Sequence, residues 1–301
     1  MKRKKYVDDF VRATASDKIT DGCIVLEGGA FRGTYTEGVL DALMLSDINM
    51  SCVLGVSAGA MNGANYVSGQ IGRNICLTMN YRHDSRYVGL NAIRHDKGLI
   101  GFGFMFGELM DIEYFDRERF MNSPMRFVAS ATNCDTGKSE FFEKTGDVDI
   151  YEAIKASASL PFVSKPIKIN GHLYFDGGCS SKIPYDWAFD NGYKKIVVVR
   201  TRHADYRKDL SKDGGSRLVK KKYGMYPNFI KSLEENNILY NRQCDELIKL
   251  HNEGELFMIS PSEPVKAGRF EGDLDALRHL YELGYNDVMN NLDLLKAYLE
   301  I

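Results

Sequence analysis

Three short stretches of the chain carry residue types that could do chemistry. The first is VLGVSAGAMNG, residues 53–63, where an apolar run meets Gly-X-Ser-X-Gly at Ser57 and small, helix-compatible residues follow. A serine on a sharp strand-to-helix turn is held out at the strand end, and Gly55, Gly59, Ala58 and Ala60 are small because bulkier neighbours would clash there. The turn also sets Ser57 near a helix N-terminus, where free amides and the helix dipole favour developing negative charge. That is the setting of a nucleophile, although a plain strand–helix turn can use the same five residues.

The second stretch is EGGAFRG, residues 27–33, again after an apolar run and before a helical pattern. Its amides, with Arg32 nearby, could hold the oxyanion of an acyl-transfer intermediate or a phosphate. A dinucleotide fingerprint requires glycine at the position of Ala30, and a Walker loop requires lysine at the position of Gly33 with glycine before it, so nucleotide binding is the weaker reading. The third stretch is LYFDGG, where Asp176 ends a strand-like run and Gly177 and Gly178 let another loop come close. A carboxylate in a partly desolvated site has its pKa raised toward the range of a general base, while an ordinary Asp-Gly turn is the competing reading. A second copy, KDGGS around Asp213, sits in a lysine-rich polar run and reads as a solvated turn. None of the six histidines, His83, His95, His172, His203, His251 and His279, has the context of a catalytic base.

The elements that must position these residues are legible in outline. CIVLEGGAFRGTYTEGVLDALML runs strand, turn, helix, and CVLGV followed by AGAMNGANYVSG repeats the order at 52–69. Successive strand–turn–helix units predict an α/β fold with a mainly parallel sheet, whose functional residues sit at the carboxyl ends of strands. Residues 1–21 are expected as a polar helix or arm. GLIGFGFMFGELM at 98–110 has no clear period and is equally an acyl-chain wall or lid and a packed loop. MRFVASAT and KSEFF predict strands, and YEAIKASASL predicts a helix over 151–160 ended by Pro161. IKINGHLYFDGG predicts a hairpin with an Asn-Gly turn, and KIVVVRT a further strand. The charged run 202–222 reads as an exposed connection, and two helical patterns, 229–254 and 273–299, flank the strand-like ELFMIS. The stripe Leu274, Leu277, Leu280, Tyr281 and Val288 is expected to face a core.

With 301 residues, 44% hydrophobic and 27% charged, the chain can bury a large core. A formal net charge of -2 gives no electrostatic case for nucleic acid. The six cysteines are scattered without a C-x-x-C pair, which suits small buried residues in a reducing, cytoplasmic compartment. The basic start lacks an apolar signal-peptide region, and no uncharged apolar run reaches the roughly 18 residues of a membrane span. Any membrane contact is expected to be peripheral, with RLVKKK at 217–222 a candidate foothold on anionic lipid and a solvated loop the commoner alternative.

Together, GGAFRG, GVSAG and DGG in this order, with ASASLPFVSKP before the last, resemble the patatin-like phospholipase family from about residue 22 to residue 205. The resemblance implies a three-layer α/β/α core over 22–205, preceded by the arm at 1–21 and followed by a mainly helical extension over 206–301. It implies a Ser-Asp dyad in which Ser57 attacks an ester carbonyl and Asp176 accepts its proton. Gly28, Gly29, Ala30, Arg32 and Gly33 would form the oxyanion hole and substrate contact, with Gly55, Gly59, Gly177 and Gly178 shaping the two turns. The implied activity is cleavage of fatty-acyl esters of phospholipids or lysophospholipids, with no cofactor, metal or calcium. A catalytically weak lipid-binding protein and an acyltransferase or thioesterase are the alternatives. Ala30 departs from the glycine usual in the family. Its amide still serves if the backbone there does not require positive φ, and on that condition the hole is expected to survive.

Overall fold

The computed structural model describes residue 7 and residues 9–211 and 217–301, so the turn around Asp213 lies outside the described residues. The segment expected as a polar helix or arm lies partly outside the described residues; its described part carries a two-residue strand β1 (Ala13–Thr14) before β2 (Thr20–Leu26). The two strand–turn–helix units follow as β2, α1 (Thr34–Leu45), β3 (Met50–Val56) and α2 (Ala58–Val67), after which β4 (Gln70–Ile71) pairs back on β1. A run of short helices comes next: α3 (Arg73–Tyr81), α4 (Leu90–Asp96), α5 (Phe102–Phe106), α6 (Glu108–Ile112) and α7 (Arg117–Asn122).

Strands β5 (Arg126–Asn133) and β6 (Ser139–Glu143) lead to α8 (Ile150–Ser157), which stops three residues short of the expected end. The hairpin of β7 (Ile167–Ile169) and β8 (His172–Asp176) turns through Asn170 and Gly171, both at positive φ (48° and 91°) as an Asn-Gly hairpin turn requires. The chain continues through α9 (Tyr185–Asp190), β9 (Ile196–Val199), α10 (Arg217–Tyr223), α11 (Pro227–Asn252), β10 (Phe257–Ile259), α12 (Leu274–Asn290) and α13 (Leu292–Leu299).

The main sheet has eight strands, of which β10, β9, β2, β3 and β5 run parallel, while β6 and β8 pair with β5 antiparallel. Side chains alternate across it with period two. Ile24, Leu26, Val53, Phe127, Val197 and Val199 join a core with residues of α1, α2, α8, α12 and α13. Cys23, Val25, Cys52, Leu54, Val128, Ile196 and Val198 join a second core under α9 and α11. Apolar residues on both faces mark a sheet buried between two helical layers. All six cysteines are buried and free. Leu277, Leu280, Tyr281 and Val288 of the C-terminal stripe are buried and Leu274 partly so, facing the core as their spacing predicts.

Strand register brings two strand ends together. Along one edge of β5, β6 pairs from Val128 to Thr132. On the other edge β3 pairs as far as Val56 opposite Ser130, and β8 takes over with Asp176 opposite Ala131. Parallel β3 and antiparallel β8 therefore run toward each other along the same edge and end at adjacent rungs. The residue after β3 is Ser57 and the last residue of β8 is Asp176.

Candidate functional site

Ser57 sits at φ 58°, ψ −123°, a strained conformation for a residue with a side chain. Two glycines make the turn possible. A Cβ on Gly55 would lie 2.4 Å from Ala60 Cα, and one on Gly59 would lie 2.4 Å from the Leu26 carbonyl oxygen. The segment between α8 and Pro161 fastens both strand ends: the Ser57 amide donates to Ser157 Oγ at 2.8 Å, and the Asp176 amide donates to the Ser159 carbonyl at 2.9 Å. The early end of α8 frees the residues after Ser157 for this second contact.

Asp176 is buried, and its Oδ1 accepts from the Gly178 amide at 2.8 Å while Oδ2 has no protein partner. Burial pushes its pKa above the usual carboxylate range. The Ser57 hydroxyl, the Gly178 amide and the charges of Lys182 and Arg269 pull it partly back. The DGG turn is held from two sides. Gly177 lies against β5, where a Cβ would come 2.3 Å from the Ser130 carbonyl oxygen, and Asn236 of α11 donates to the carbonyls of Gly178 and Cys179 at 2.8 and 2.9 Å.

The loop 27–33 runs alongside Ser57: a Cβ on Gly28 would meet Ser57 Cβ at 2.8 Å, and one on Gly33 would meet Ala58 Cβ at 3.0 Å. Among the described residues, the amides of Gly28, Gly29 and Ala30 donate to no protein acceptor. The condition set for Ala30 is not met, because its φ is 50°. The alanine is held in the left-handed region, where its Cβ crowds the following carbonyl, yet its amide stays free. Arg32 is buried with Nε unpartnered, and burial together with Arg202 lowers its pKa to about 10.

These residues line one cavity of about 400 Å³ with Ser57, Asp176, Gly28, Gly29 and Ala30 on its walls. Among the described residues no histidine lines it. Four cations that sequence reading did not single out do: Lys182, Arg202, Lys208 and Arg269. Arg202 and Lys208 belong to the run read as an exposed connection; both are partly buried and turn toward the cavity. No local pattern could have found the set, since Lys182, the run holding Arg202 and Lys208, and Arg269 are three separate stretches joined only by the fold.

A second cavity, about 130 Å³ and mostly apolar, lies on the other side of the loop and shares Ala30 and Phe270 with the first. Its wall includes Met61, Met105, Phe106, Met110, Phe115 and Ile154. The stretch 98–110 thus forms part of an apolar wall through α5 and α6.

Residues 24–189 match the patatin-like phospholipase family. The chain belongs to that family. Residues 226–300 match a domain of unknown function, DUF6363. Among curated relatives, the uncharacterised protein YjjU of Escherichia coli (strain K12) is 30% identical over 193 residues, 59% of this chain and 51% of that protein. The probable lipid hydrolase 463L of Invertebrate iridescent virus 6 is 29% identical over 213 residues, 62% of this chain and 72% of that one. The chain therefore spans about half the length of YjjU. The solved structure of VipD from Legionella pneumophila aligns over 94% of this chain and 68% of its own, with TM-score 0.44 and 14% identity. Among the described residues no helix is long and apolar enough to cross a membrane.

Proposed function

We propose that this protein is a serine acyl hydrolase that cleaves fatty-acyl esters of phospholipids or lysophospholipids through Ser57 and Asp176. The enzyme class, a carboxylic ester hydrolase, follows from family membership; the residues and the substrate are the proposal. The observation that carries it is the meeting of Ser57, on a strained turn, with a buried Asp176 in a cavity that, among the described residues, no histidine lines. The relative named a probable lipid hydrolase, and one named lysophospholipase NTE1 in Candida albicans at 26% identity, support the substrate class.

In this reading Ser57 Oγ attacks the ester carbonyl carbon while its proton passes to Asp176. The carbonyl oxygen, now negative, is received by the free amides of Gly29 and Ala30. The carbon–oxygen bond to the alcohol breaks as Asp176 returns the proton to the leaving oxygen, which leaves an acyl group on Ser57. Water then attacks the acyl carbon, gives a proton to Asp176, and releases the fatty acid as Ser57 regains its proton. The fatty-acyl chain enters the apolar cavity beyond Ala30 and Phe270.

Contact with an anionic membrane surface belongs to the same proposal. At the cavity rim Phe162 is half exposed, and near it α10 leaves Leu218 67% exposed, with Met225 beyond at 88%. Lys220, Lys221 and Lys222 lie on the same short helix, with Lys222 over the Phe162 ring. Charge reversal at the three lysines should weaken vesicle binding, and unchanged binding removes this part of the proposal.

The test of the chemistry is labelling with a fluorophosphonate probe, followed by fatty-acid release from a panel of phospholipids, thioesters and short soluble esters. Ser57→Ala should lose the label. Asp176→Asn should lower turnover by about 10²–10⁴-fold, the usual contribution of a general base. Wild-type protein that neither labels nor releases acid from any ester would favour a lipid-binding protein instead.

A further inference from the structure

We propose that the cavity over Ser57 is selective for an acyl ester whose leaving group carries a phosphomonoester or another head with at least two negative charges. Lys182, Arg202, Lys208 and Arg269 hold that head beside Arg32. The inference rests on the acyl-hydrolase reading and adds the chemistry of the leaving group.

Five cationic side chains share the cavity with only two carboxylates, Glu27 and Asp176. Glu27 is already engaged, its Oε2 accepting from the Thr201 amide at 2.7 Å. Among the described residues none of the five cations forms a salt bridge, whereas Arg12, Arg86, Arg126 and Arg278 elsewhere all do. The Nε atoms of Arg32 and Arg202 are buried without any acceptor. Both side chains line the cavity, where a phosphate oxygen is a strong charge-assisted acceptor for the guanidinium nitrogens that reach it. The cations also repel one another. Lys182 is pushed down to about 7 by burial and then by Lys208, and Lys208 to about 8 by burial and then by Arg269 and Arg32. Like charges gathered against their own repulsion around a cleft mark a ligand of opposite charge.

The same walls disfavour a choline head. A quaternary ammonium needs open aromatic faces, but Arg202 stands over Tyr206 with 4.6 Å to the ring centroid and Lys208 over Tyr240 with 5.5 Å. Of the four aromatic rings on the wall, Tyr206, Tyr240 and Phe162 already carry cations of the protein itself, and among the described residues only Phe270 does not. The source of the anion follows from the two cavities. The apolar cavity and the cationic one share Ala30 and Phe270 as walls, beside the loop that packs against Ser57. A molecule with an acyl chain at one end, an ester in the middle and a phosphate at the other fits that order, and free phosphate uses only one part of it.

The experiment compares lysophosphatidic acid, lysophosphatidylcholine and a monoacylglycerol with one common acyl chain, using wild type, Arg269→Gln and Arg202→Gln. In parallel, calorimetry on Ser57→Ala protein measures binding of glycerol 3-phosphate, inorganic phosphate and lysophosphatidic acid. Arg269 is exposed, so its neutral replacement leaves the core intact. We expect wild-type kcat/KM for lysophosphatidic acid to exceed that for the other two at least tenfold. Each variant should cut that ratio several-fold, mainly through KM, and should weaken glycerol 3-phosphate binding. Equal turnover of charged and neutral heads by protein that still labels at Ser57 overturns the head-group inference and leaves the hydrolase intact. Inorganic phosphate that binds without being displaced by lysophosphatidic acid overturns the lipid source. If Ser57 takes no label and no ester is cleaved, the hydrolase reading fails, and competition between glycerol 3-phosphate and lysophosphatidic acid still establishes the anion site.

Discussion

At the scale of single residues the tension in this site is at Ala30, which sits at φ 50° in the loop that lines the cavity. An L-residue in the left-handed region loses roughly 1–2 kcal/mol to the contact between its Cβ and the next carbonyl. Glycine removes that contact but adds roughly 0.5–1 kcal/mol of unfolded-chain entropy. Ala30→Gly is therefore expected to stabilise the protein by about 0.5 kcal/mol, with label uptake at Ser57 retained, in urea unfolding read alongside probe labelling. Ala30→Val, branched at Cβ, should be destabilised and should label slowly, because a β-branched residue hardly adopts this conformation. A loss of more than about 1 kcal/mol in the glycine variant would contradict the strain argument.

Among the elements, those written in local pattern were legible and those made by distant contacts were not. The strand–turn–helix order around Ser57, the Asn-Gly hairpin ending in Asp176 and the buried face of α12 each depend on neighbours within a few residues. The hold of Ser157 on Ser57 joins residues 100 apart, and Lys182, Arg202 and Arg269 meet only after β9 and the segment beyond β10 are in place. Positive φ at Ala30 was hidden because alanine gives no sign of it. Another long-range contact sets α1 against α12, where a Cβ on Gly284 would lie 2.1 Å from the Tyr35 carbonyl oxygen and one on Gly38 2.0 Å from that of Tyr281. Neither backbone can retreat without parting the helices, and α1 continues directly from the loop that holds Arg32. Gly284→Ala is expected to cost about 3 kcal/mol, the upper part of the range for overpacking, and to slow labelling of Ser57. Gly268→Ala, with nothing within 4 Å of its Cβ, is the control for glycine replacement in the same C-terminal segment. Chemical denaturation of both variants decides it, and equal midpoints would mean that the crossing yields easily.

For the whole molecule, the apolar cavity and stability are linked through two buried acids on α1. Glu37 lines the apolar cavity, with Oε1 accepting from Thr78 Oγ1 at 3.0 Å and Oε2 unpartnered; Asp41 Oδ2 accepts from the Gly72 amide and the Tyr281 hydroxyl. Burial pushes Glu37 up to about 8, with the Asp41 charge adding to it, and burial pushes Asp41 up to about 7. Unfolded, both titrate near pH 4. Between those values the native state binds more protons than the unfolded chain, so each acid makes stability fall as pH rises through the window and level off above its folded value. Glu143, Glu271 and Glu300 have lowered values and act in the opposite sense, losing their contribution only as pH falls below the ordinary glutamate range. From pH 5 to about 7 the buried acids, Asp176 with them, set the slope, and above that the depressed Lys182 and Lys208 begin to act against it. Glu37→Gln should flatten the dependence of unfolding free energy on pH by on the order of 1 kcal/mol per unit, measured in urea at pH 5, 6.5 and 8. Parallel curves for wild type and variant would show that Glu37 is already ionised at neutral pH. The same titration reaches function, because a neutral Glu37 keeps the wall apolar and an ionised one places a charge beside the acyl chain. Wild-type KM for a long-chain ester should accordingly rise above pH 8, and in Glu37→Gln that rise should be smaller.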